Sequence, residues 1–344
     1  MKLGLALPHY DTSLGGLPLS WDAISRVARN AETAGFDSIW VSDHFFLDWS
    51  KYGGPDTIQG SFECWTLMSA LASITKRIRI GSLVMCNDFR NPGLLAKMAA
   101  TVDLLSDGRV DVGLGAGWYE PEYRAAGITF DRASARIERL GEAVEIVQRL
   151  LDGEELTFSG KHYSMKGAIC RPLGPQEPRP PVWIGGKGDK TLATAARHAD
   201  GWNFSWLGSF EGYRERSKAA DQACVDAERE PGSLRRSVGA YVLTGSDDAD
   251  VRRRFDRLIE RTPKGVIRSS NGTSGVSWEE FRTERVAGPV DEVVDRLAAL
   301  ADLGVEEVIV TLGVLPFQLA DEEDLEFVGS EIAPALHELN GGQR

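Results

Sequence analysis

The chain has 344 residues, 42% of them hydrophobic, and a formal net charge of −12 at pH 7. This length suits two average domains or one large α/β barrel, and the acidic balance argues against a nucleic-acid surface. The four cysteines are scattered without a CxxC motif, no signal peptide is visible, and no apolar run approaches the ~20 residues that span a bilayer. We therefore expect a cytoplasmic protein with reduced thiols and no membrane contact.

Apolar periodicity predicts strands that alternate with helices along most of the chain. Short buried runs predict eight strands, at residues 3–7, 38–42, 78–84, 109–114, 182–184, 201–204, 238–243 and 307–311. Helical spacing predicts helices at residues 21–34, 63–74, 92–105, 133–151, 190–198, 210–228, 248–259, 289–303 and 322–339. Eight such units favour an α/β fold, a closed (β/α)8 TIM barrel, with an open doubly wound sheet as the alternative.

Two stretches interrupt this alternation. Residues 152–180 begin with an alternating pattern at 156–165 and then become rich in proline. Residues of about 261–286 contain a run of serine, asparagine and glycine. We expect both to be insertions at the C-terminal face of one domain that spans residues 1–344, and an interdomain linker is the alternative for the first.

Ionisable residues follow the first two predicted strands at their C-terminal ends, where a barrel of this kind builds its active site. His9 follows the first strand, and Asp43 and His44 follow the second. An aspartate that caps the next segment beside an ordinary loop histidine is the structural alternative. Because glycine-rich and polar loops follow other strands at the same face, we predict a functional site around Asp43 and His44.

Two glycine-rich loops differ in what they can hold. Gly113, Gly115 and Gly117 form GxGxG, which is not the dinucleotide fingerprint because Trp118 stands where a glycine would be required. This loop suits either a close approach of the backbone to a flat group or a tight strand exit. The GGKG run at residues 185–188 precedes a predicted helix, which favours a phosphate site, with a plain glycine turn as the alternative.

No metal site is predicted. The five histidines lie far apart, without HxH or HExxH spacing. No GxSxG elbow is present, and no motif surrounds a cysteine, so nucleophilic hydrolysis has no support.

Four stretches carry a resemblance to a known family. They read GFDSIWVSDHF from Gly35, RIRIGSLV from Arg77, NPGLLAKMAATVDLLSDGRVDVGLGAGW from Asn91 and PPVWIGGKGDKTLATAARHADGWN from Pro180. From residue 3 to 205 the chain resembles the bacterial luciferase-like flavin and deazaflavin oxidoreductases, in their coenzyme F420-dependent branch. The resemblance implies a (β/α)8 barrel and a redox enzyme that uses F420, with FMN as the alternative cofactor.

The resemblance also implies roles for individual residues. His44 would be catalytic, acting at the substrate. A non-prolyl cis peptide at Leu83-Val84 would support the cofactor ring from behind. Cofactor contacts are expected at Asp43, Leu83, Val84, Asn87, Gly115, Ala116, Gly117, Gly185, Gly186, Lys187 and Gly188.

One residue departs from the family pattern. Sugar-phosphate dehydrogenases of this branch carry a catalytic glutamate directly after GxGxG, where this chain has Trp118. Because an indole cannot donate that proton, we expect a larger apolar or aromatic substrate, with His9 and Trp118 in its pocket.

The resemblance therefore predicts hydride transfer between C5 of the deazaflavin and a small organic substrate. The runner-up is an FMN-dependent monooxygenase that uses reduced flavin, O2 and a separate reductase. A barrel that binds flavin without catalysis is the third hypothesis. A homodimer is also expected, because it is common in the family.

Overall fold

The computed structural model describes residues 1–48, 50, 58–262 and 276–341. Eight parallel strands close into a barrel, with β1 hydrogen-bonded to both β2 and β8 and with β4 joined to β5. The strands are β1 Lys2–Ala6, β2 Ser38–Val41, β3 Arg79–Ser82, β4 Val110–Gly115, β5 Val182–Gly185, β6 Gly201–Phe204, β7 Arg235–Gly245 and β8 Glu307–Thr311. The expected (β/α)8 TIM barrel is confirmed.

Helices cover the outside of this ring. Their bounds are α1 Trp21–Ala34, α2 Cys64–Ile74, α3 Pro92–Ser106, α4 Glu120–Ala125, α5 Ala133–Leu151, α6 Asp189–His198, α7 Phe210–Asp226, α8 Asp248–Arg261, α9 Trp278–Glu284, α10 Val290–Ala301 and α11 Glu322–Gly341. The local sequence sets these bounds. For example, α1 begins where the Ser20 hydroxyl accepts the Ala23 amide and ends at Gly35, whose φ of 102° glycine adopts without strain.

The interior of the barrel is filled by side chains. Trp40 of β2 and Trp183 of β5 meet edge to face, with ring centroids 6.2 Å apart. Each indole lies against a glycine of the next strand, because a Cβ on Gly81 would come within 2.3 Å of Trp40 and one on Gly201 within 2.2 Å of Trp183. Each large indole therefore fills the space that the glycine on the paired strand leaves free. This layer of side chains closes the barrel interior, and the cavity lies on its C-terminal side.

Two buried carboxylates accept the N–H groups of these indoles. Glu307 Oε1 accepts from Trp40 Nε1 at 3.1 Å and from the hydroxyl of Ser38. Asp111 Oδ1 accepts from Trp183 Nε1 at 3.0 Å. Burial raises the pKa of Glu307 to about 6, and the nearby Asp111 adds to the effect. This polar layer supports the floor below the cavity.

Several short elements lie outside the barrel. The antiparallel pair Leu156–Ser159 and Ser164–Ala168 agrees with the strand-like pattern expected at 156–165. A second antiparallel pair joins Phe46–Asp48 to Ile58–Gly60, Met85–Cys86 adds to β4, and Val286–Pro289 adds to β7. These last pieces and the helices α4 and α9 are not predicted by the sequence, because two to seven residues carry too little periodicity.

The first interruption, 152–180, does more than cover the C-terminal face. Its Tyr163 hydroxyl accepts from Asn87 beyond β3, whereas its Gln176 side chain donates to the carbonyl of Val110 at the start of β4. The segment therefore also runs along the outside of the barrel. In the second interruption, residues 263–275 lie outside the described residues. That the whole chain is one domain stays a prediction.

Two further findings concern the sequence-based expectations. The described helices include none that is long and apolar enough to cross a membrane. All four cysteines are buried and unpaired with one another.

Candidate active site

A cavity of about 400 Å³ opens at the C-terminal ends of the barrel strands. Ten of the residues singled out in the sequence line it, namely Asp43, His44, Leu83, Val84, Gly115, Ala116, Gly117, Trp118, Gly185 and Gly186. Within the described residues, four of the predicted site residues do not line the cavity, namely His9, Asn87, Lys187 and Gly188. The fold thus brings together loops that are more than 140 residues apart in sequence, from Asp43 to Gly186.

His44 is held in the cavity wall by a carboxylate. Its Nδ1 lies 2.7 Å from Oε2 of Glu122, whose side chain is 2% exposed, against 14% for His44. The other carboxylate oxygen, Oε1, accepts the backbone N–H groups of Phe45 at 2.5 Å and Phe46 at 3.2 Å. Because a carboxylate accepts and does not donate, Nδ1 carries a proton and Nε2 is the nitrogen left for a ligand.

Glu122 is the functional candidate that the sequence did not reveal. It lies in α4, which begins at Glu120 directly after the glycine-rich exit of β4. A single glutamate in a six-residue helix gives no periodic signal, and its partner His44 is 78 residues away. Glu122 is identified only by its position in the structure, where its buried carboxylate lies beside the end of β2. No local sequence pattern indicates this contact.

Asp43 is buried and fully engaged by the protein. Arg90 donates to both of its carboxylate oxygens, at 2.6 and 3.0 Å, and the Cys86 amide donates to Oδ2 at 3.0 Å. Arg90 also binds Glu63 at the N-terminus of α2. Asp43 therefore fixes the loop after β3 against the loop after β2, and its role as a cofactor contact stays a prediction.

His9 lies behind the wall of the cavity and is 0% exposed. Its Nδ1 lies 2.7 Å from the Leu7 carbonyl oxygen, and its Nε2 lies 2.9 Å from Ser42 Oγ. Tyr10 and Ser42 occupy the lining position expected for it. This differs from the expectation, because the strand end turns the imidazole inward to satisfy two buried polar groups.

The glycines of β4 and β5 surround Val84. A Cβ on Gly115 would lie 2.7 Å from Val84 Cγ2, and one on Gly185 would lie 2.9 Å from both Val84 methyl groups. The Leu83–Val84 peptide is cis, as the resemblance implies. The glycines therefore admit the Val84 side chain between the strands, and the cis peptide and its neighbours form one wall of the cavity.

Gly117 holds the exit of β4 in a conformation that other residues rarely adopt. Its φ is +71°, and a Cβ there would come within 1.9 Å of the Tyr123 hydroxyl and 2.8 Å of Cys86 Sγ. These two groups lie 3.0 Å apart and also line the cavity. Burial raises the pKa of the Cys86 thiol to about 12, so this cysteine stays protonated.

The GGKG loop is divided between the cavity and its rim. Gly185 and Gly186 line the cavity, together with Thr191 in the first turn of α6. Lys187 is exposed, donates to the Trp206 carbonyl oxygen at 2.8 Å and lies 4.0 Å from the centre of the Phe204 ring. Desolvation lowers the pKa of Lys187. Its ammonium is thus engaged by the next loop.

Asn87 and Trp118 occupy different surroundings. Asn87 is 3% exposed and its side-chain amide donates to the Tyr163 hydroxyl at 3.1 Å, away from the cavity. Trp118 is 40% exposed, lines the cavity, and presents an edge-to-face contact to His44 with ring centroids 5.5 Å apart. The indole therefore covers the catalytic candidate from the solvent side.

Within the described residues, no group of three or more His, Cys, Asp or Glu side chains is arranged to hold a metal ion. The arrangement offers acid–base chemistry: an imidazole on a buried carboxylate, a wall of backbone and aliphatic groups, and a helix N-terminus beside two glycines.

Comparison with known proteins agrees with this architecture. An F420-dependent glucose-6-phosphate dehydrogenase of Amycolatopsis mediterranei is 33% identical over 281 residues, 80% of each chain. An FMNH2-dependent dimethylsulfone monooxygenase of Pseudomonas putida is 24% identical over 94% of this chain and 91% of its own. The solved F420-dependent tetrahydromethanopterin reductase of Methanopyrus kandleri superposes with a TM-score of 0.73 at 19% identity, covering 97% of this chain and 98% of its own. The family profile of the luciferase-like monooxygenases matches residues 1–307, and the chain therefore belongs to that family and is an oxidoreductase.

Proposed function

We propose that the chain is an F420-dependent oxidoreductase that transfers a hydride between C5 of the deazaflavin and a small organic substrate. The observation that carries this proposal is the His44–Glu122 pair, with Nδ1 and Oε2 2.7 Å apart in the wall of the cavity at the C-terminal ends of the strands. Such a pair gives a proton-transfer group a fixed orientation, as hydride transfer to or from a C–O group requires.

The residues around the cavity fit a flat ring with a phosphorylated side chain. Val84 and the glycine exits of β4 and β5, which pack against it, form one wall of the cavity. Gly186, with φ +141° and no room for a Cβ beside Thr191, leaves its backbone open next to the α6 N-terminus. We propose that the ring lies against Val84 and that residues 185–188 hold the phosphate.

When bound, F420 supplies a carbon that accepts or donates a hydride. The protein supplies the matching proton. His44 Nε2 takes a proton from the substrate when the substrate is oxidised and returns one when it is reduced, while Glu122 holds the proton on Nδ1 and compensates the charge of the imidazolium. The indole of Trp118 lies edge to face against this imidazole.

We further propose that the substrate is apolar or aromatic and is not glucose-6-phosphate. Trp118 stands where sugar-phosphate dehydrogenases of the resembled branch place their glutamate. Its indole, with Tyr119 5.3 Å away between ring centroids, forms an aromatic wall beside His44. Aromatic walls bind apolar rings through buried area and edge-to-face contact.

Cofactor titration tests the proposal. The purified protein is titrated separately with F420 and with FMN while tryptophan fluorescence is followed, since Trp118 and Trp206 both line the cavity. We expect F420 to bind more tightly. Tighter binding of FMN would favour the second candidate, a monooxygenase served by a separate reductase, which the Pseudomonas putida relative supports.

Replacement of His44 tests catalysis apart from binding. With any substrate that reduces bound F420, we expect His44→Ala to lower turnover by about 10²- to 10⁴-fold, the usual contribution of a general acid or base, with F420 affinity retained. Unchanged turnover would remove His44 from the mechanism, and F420 binding without any turnover in the wild type would point to a barrel that only binds the cofactor.

A further inference from the structure

Arg136 of α5 is a buried cation in the wall of the cavity. It is 8% exposed and is one of the lining residues. Its Nε donates to the carbonyl oxygen of Ala116 at 3.2 Å, and its two terminal nitrogens donate to those of Gly117, at 3.4 Å, and Asp131. The central carbon of the guanidinium lies 4.0 Å from the centre of the Phe130 ring. These contacts fix the guanidinium at the exit of β4.

The contacts of Arg136 leave its positive charge without an acidic partner. Within the described residues, no carboxylate forms an ion pair with it, and the two carboxylates that line the cavity, Asp43 and Glu122, have partners of their own. Three of the five guanidinium N–H groups donate to backbone carbonyls, which leaves two for a ligand. Because a buried cation is costly unless a negative group compensates it, this wall suits a ligand that brings an anion.

The glycine-rich loop after β5 lies on the neighbouring strand exit. Ile184 of β5 pairs with Leu114 of β4 in parallel register, so Ala116 and Gly186 each lie two residues beyond the same pair. The Ala116 carbonyl is the one that accepts from Arg136 Nε. Arg136 and Gly186 both line the cavity. The guanidinium is therefore held beside the loop that leads into α6.

The first turn of α6 adds hydrogen-bond donors to the same space. Its N-cap is Gly188, so no side chain caps the free N–H groups of this turn. Thr191 is 8% exposed and lines the cavity, and its hydroxyl makes no hydrogen bond to any of the described residues. The carboxylate of Asp189 is 88% exposed and pairs with Arg216 at 2.5 Å. The turn thus presents N–H and O–H donors to an anion beside Arg136.

We propose that Arg136 supplies the positive charge that binds the phosphate of the cofactor side chain, together with the Thr191 hydroxyl and the N-terminus of α6. Lys187, the cation that the sequence predicts for this role, donates instead to the Trp206 carbonyl oxygen at the rim. The inference rests on the proposed function only in taking a phosphorylated deazaflavin or flavin as the ligand of the cavity.

Ligand pairs that differ only in the phosphate test this role. Dissociation constants of the ribityl deazaflavin of F420 and of its phosphate ester are measured by quenching of tryptophan fluorescence, and riboflavin and FMN form a second pair. Wild type should bind the phosphorylated member about 10- to 100-fold more tightly, the range for hydrogen bonds to a buried charged group. In Arg136→Met this ratio should fall by about 10-fold or more, while the affinity for the unphosphorylated member is retained.

Three further variants locate the effect. Thr191→Val replaces the hydroxyl by a methyl group and should lower the ratio by about 3- to 10-fold. Lys187→Met should retain most of the ratio. The matched control is Arg149→Met, which removes a cation from the far end of α5, where Arg149 pairs with Glu145 and Glu154 at the surface. This control should give the wild-type ratio.

The ratios also show which outcomes overturn the proposal. Absence of a phosphate preference in wild type overturns it, as does a ratio that Arg136→Met leaves unchanged. An equal loss of affinity for both members of a pair leaves the ratio unchanged and would show that Arg136 only shapes the exit of β4. If Arg136→Met does not fold, an unchanged ratio in Thr191→Val, or a loss confined to Lys187→Met, overturns the proposal.

The two ligand pairs separate this inference from the proposed function. Tighter binding of the flavins than of the deazaflavins would remove the proposed function, and the ratio of FMN to riboflavin would still test Arg136. Tighter binding of the deazaflavins with an unchanged ratio in Arg136→Met would retain the proposed function and remove this inference.

Discussion

His44 and His9 follow neighbouring strands at the same face of the barrel, yet their partners give them different capacities. His44 rests on the carboxylate of Glu122, which compensates a positive charge, and it borders the cavity. His9 rests on the carbonyl of Leu7 and is fully buried, so its protonation is opposed by desolvation. The comparison shows that the depth of burial, together with the charge of the Nδ1 partner, decides whether an imidazole at a strand end is suited to exchange protons.

The largest expected effect follows from breaking the His44–Glu122 pair. In Glu122→Gln, one side-chain oxygen must still accept from Phe45 and Phe46, which turns the amide NH2 towards His44 Nδ1. The donor would force the proton of His44 onto Nε2 and remove its ability to act as a base. We expect kcat to fall by about 10²- to 10³-fold, with F420 affinity unchanged.

The same helix provides the control for this variant. Glu120 lies in α4, is paired with Arg124 at the surface and does not contact His44. Glu120→Gln makes the same chemical change without reaching the cavity and should turn over like wild type. Equal rates for wild type and Glu122→Gln would show that His44 works without a fixed tautomer.

The next effect appears in stability and comes from His9. Its pKa is lowered from 6.5 to about 4 in the folded protein. Between these two pH values, His9 is therefore protonated in the unfolded chain and neutral in the folded chain. The contribution of neutral His9 to the free energy of unfolding is therefore present in full above pH 6.5. It falls by about 3 kcal/mol as the pH falls towards 4. Urea unfolding of wild type and His9→Gln at pH 7, 6, 5 and 4 should therefore give free-energy curves that converge as the pH falls.

Ser42→Ala distinguishes burial from hydrogen bonding in this effect. The variant loses one hydrogen bond to His9 but keeps the imidazole buried, and desolvation is the largest cause of the lowered pKa. It should be less stable by about 1 kcal/mol and should still lose stability towards low pH. If the unfolding free energies of wild type and His9→Gln change with pH in parallel, burial does not lower the pKa of His9.

Glu307 should give the opposite pH dependence with a smaller amplitude. Burial raises its pKa from 4.5 to about 6, so its contribution is present below pH 4.5 and is lost as the pH rises through 6, by about 2 kcal/mol. Glu307→Gln can retain acceptors for Ser38 and Trp40 without this titration. Its unfolding free energy relative to wild type should rise between pH 4.5 and 6, and a constant difference would contradict the assignment.

The sequence predicts the barrel well because burial on both faces leaves a clear pattern. The runs that form β2 and β8 are apolar and short, and their predicted bounds agree with Ser38–Val41 and Glu307–Thr311 to within one residue. β7 is longer than its predicted 238–243 at both ends, and the added residues at its start include Arg235 and Arg236. Long-side-chain arginines bury their stems while they pair at the surface, which a hydrophobic pattern does not register.

The site is harder to predict because its contacts cross the chain. The pattern Asp43-His44 is visible, but the residues that decide its chemistry, Arg90 and Glu122, come from later loops. The resemblance predicts a cofactor contact at Gly115, and in the structure its missing Cβ also makes room for the Val84 side chain. A glycine in the sequence can indicate that another group approaches the backbone closely, but it does not identify that group.

The smallest expected effect concerns the indole that covers His44. Trp118 makes an edge-to-face contact with this imidazole at 5.5 Å between centroids and remains 40% exposed, so only part of its area contributes to the site. A similar contact between this indole and a bound aromatic substrate would be worth about 0.5–1.5 kcal/mol, or roughly 2- to 10-fold in affinity. With an aromatic substrate that reduces F420, Trp118→Ala should raise KM by that factor and change kcat less, whereas Trp118→Phe should recover most of the affinity. If instead Trp118→Ala lowers kcat as strongly as Glu122→Gln does, the indole takes part in orienting His44, and the distinction between the two histidines no longer depends on burial and the Nδ1 partner alone.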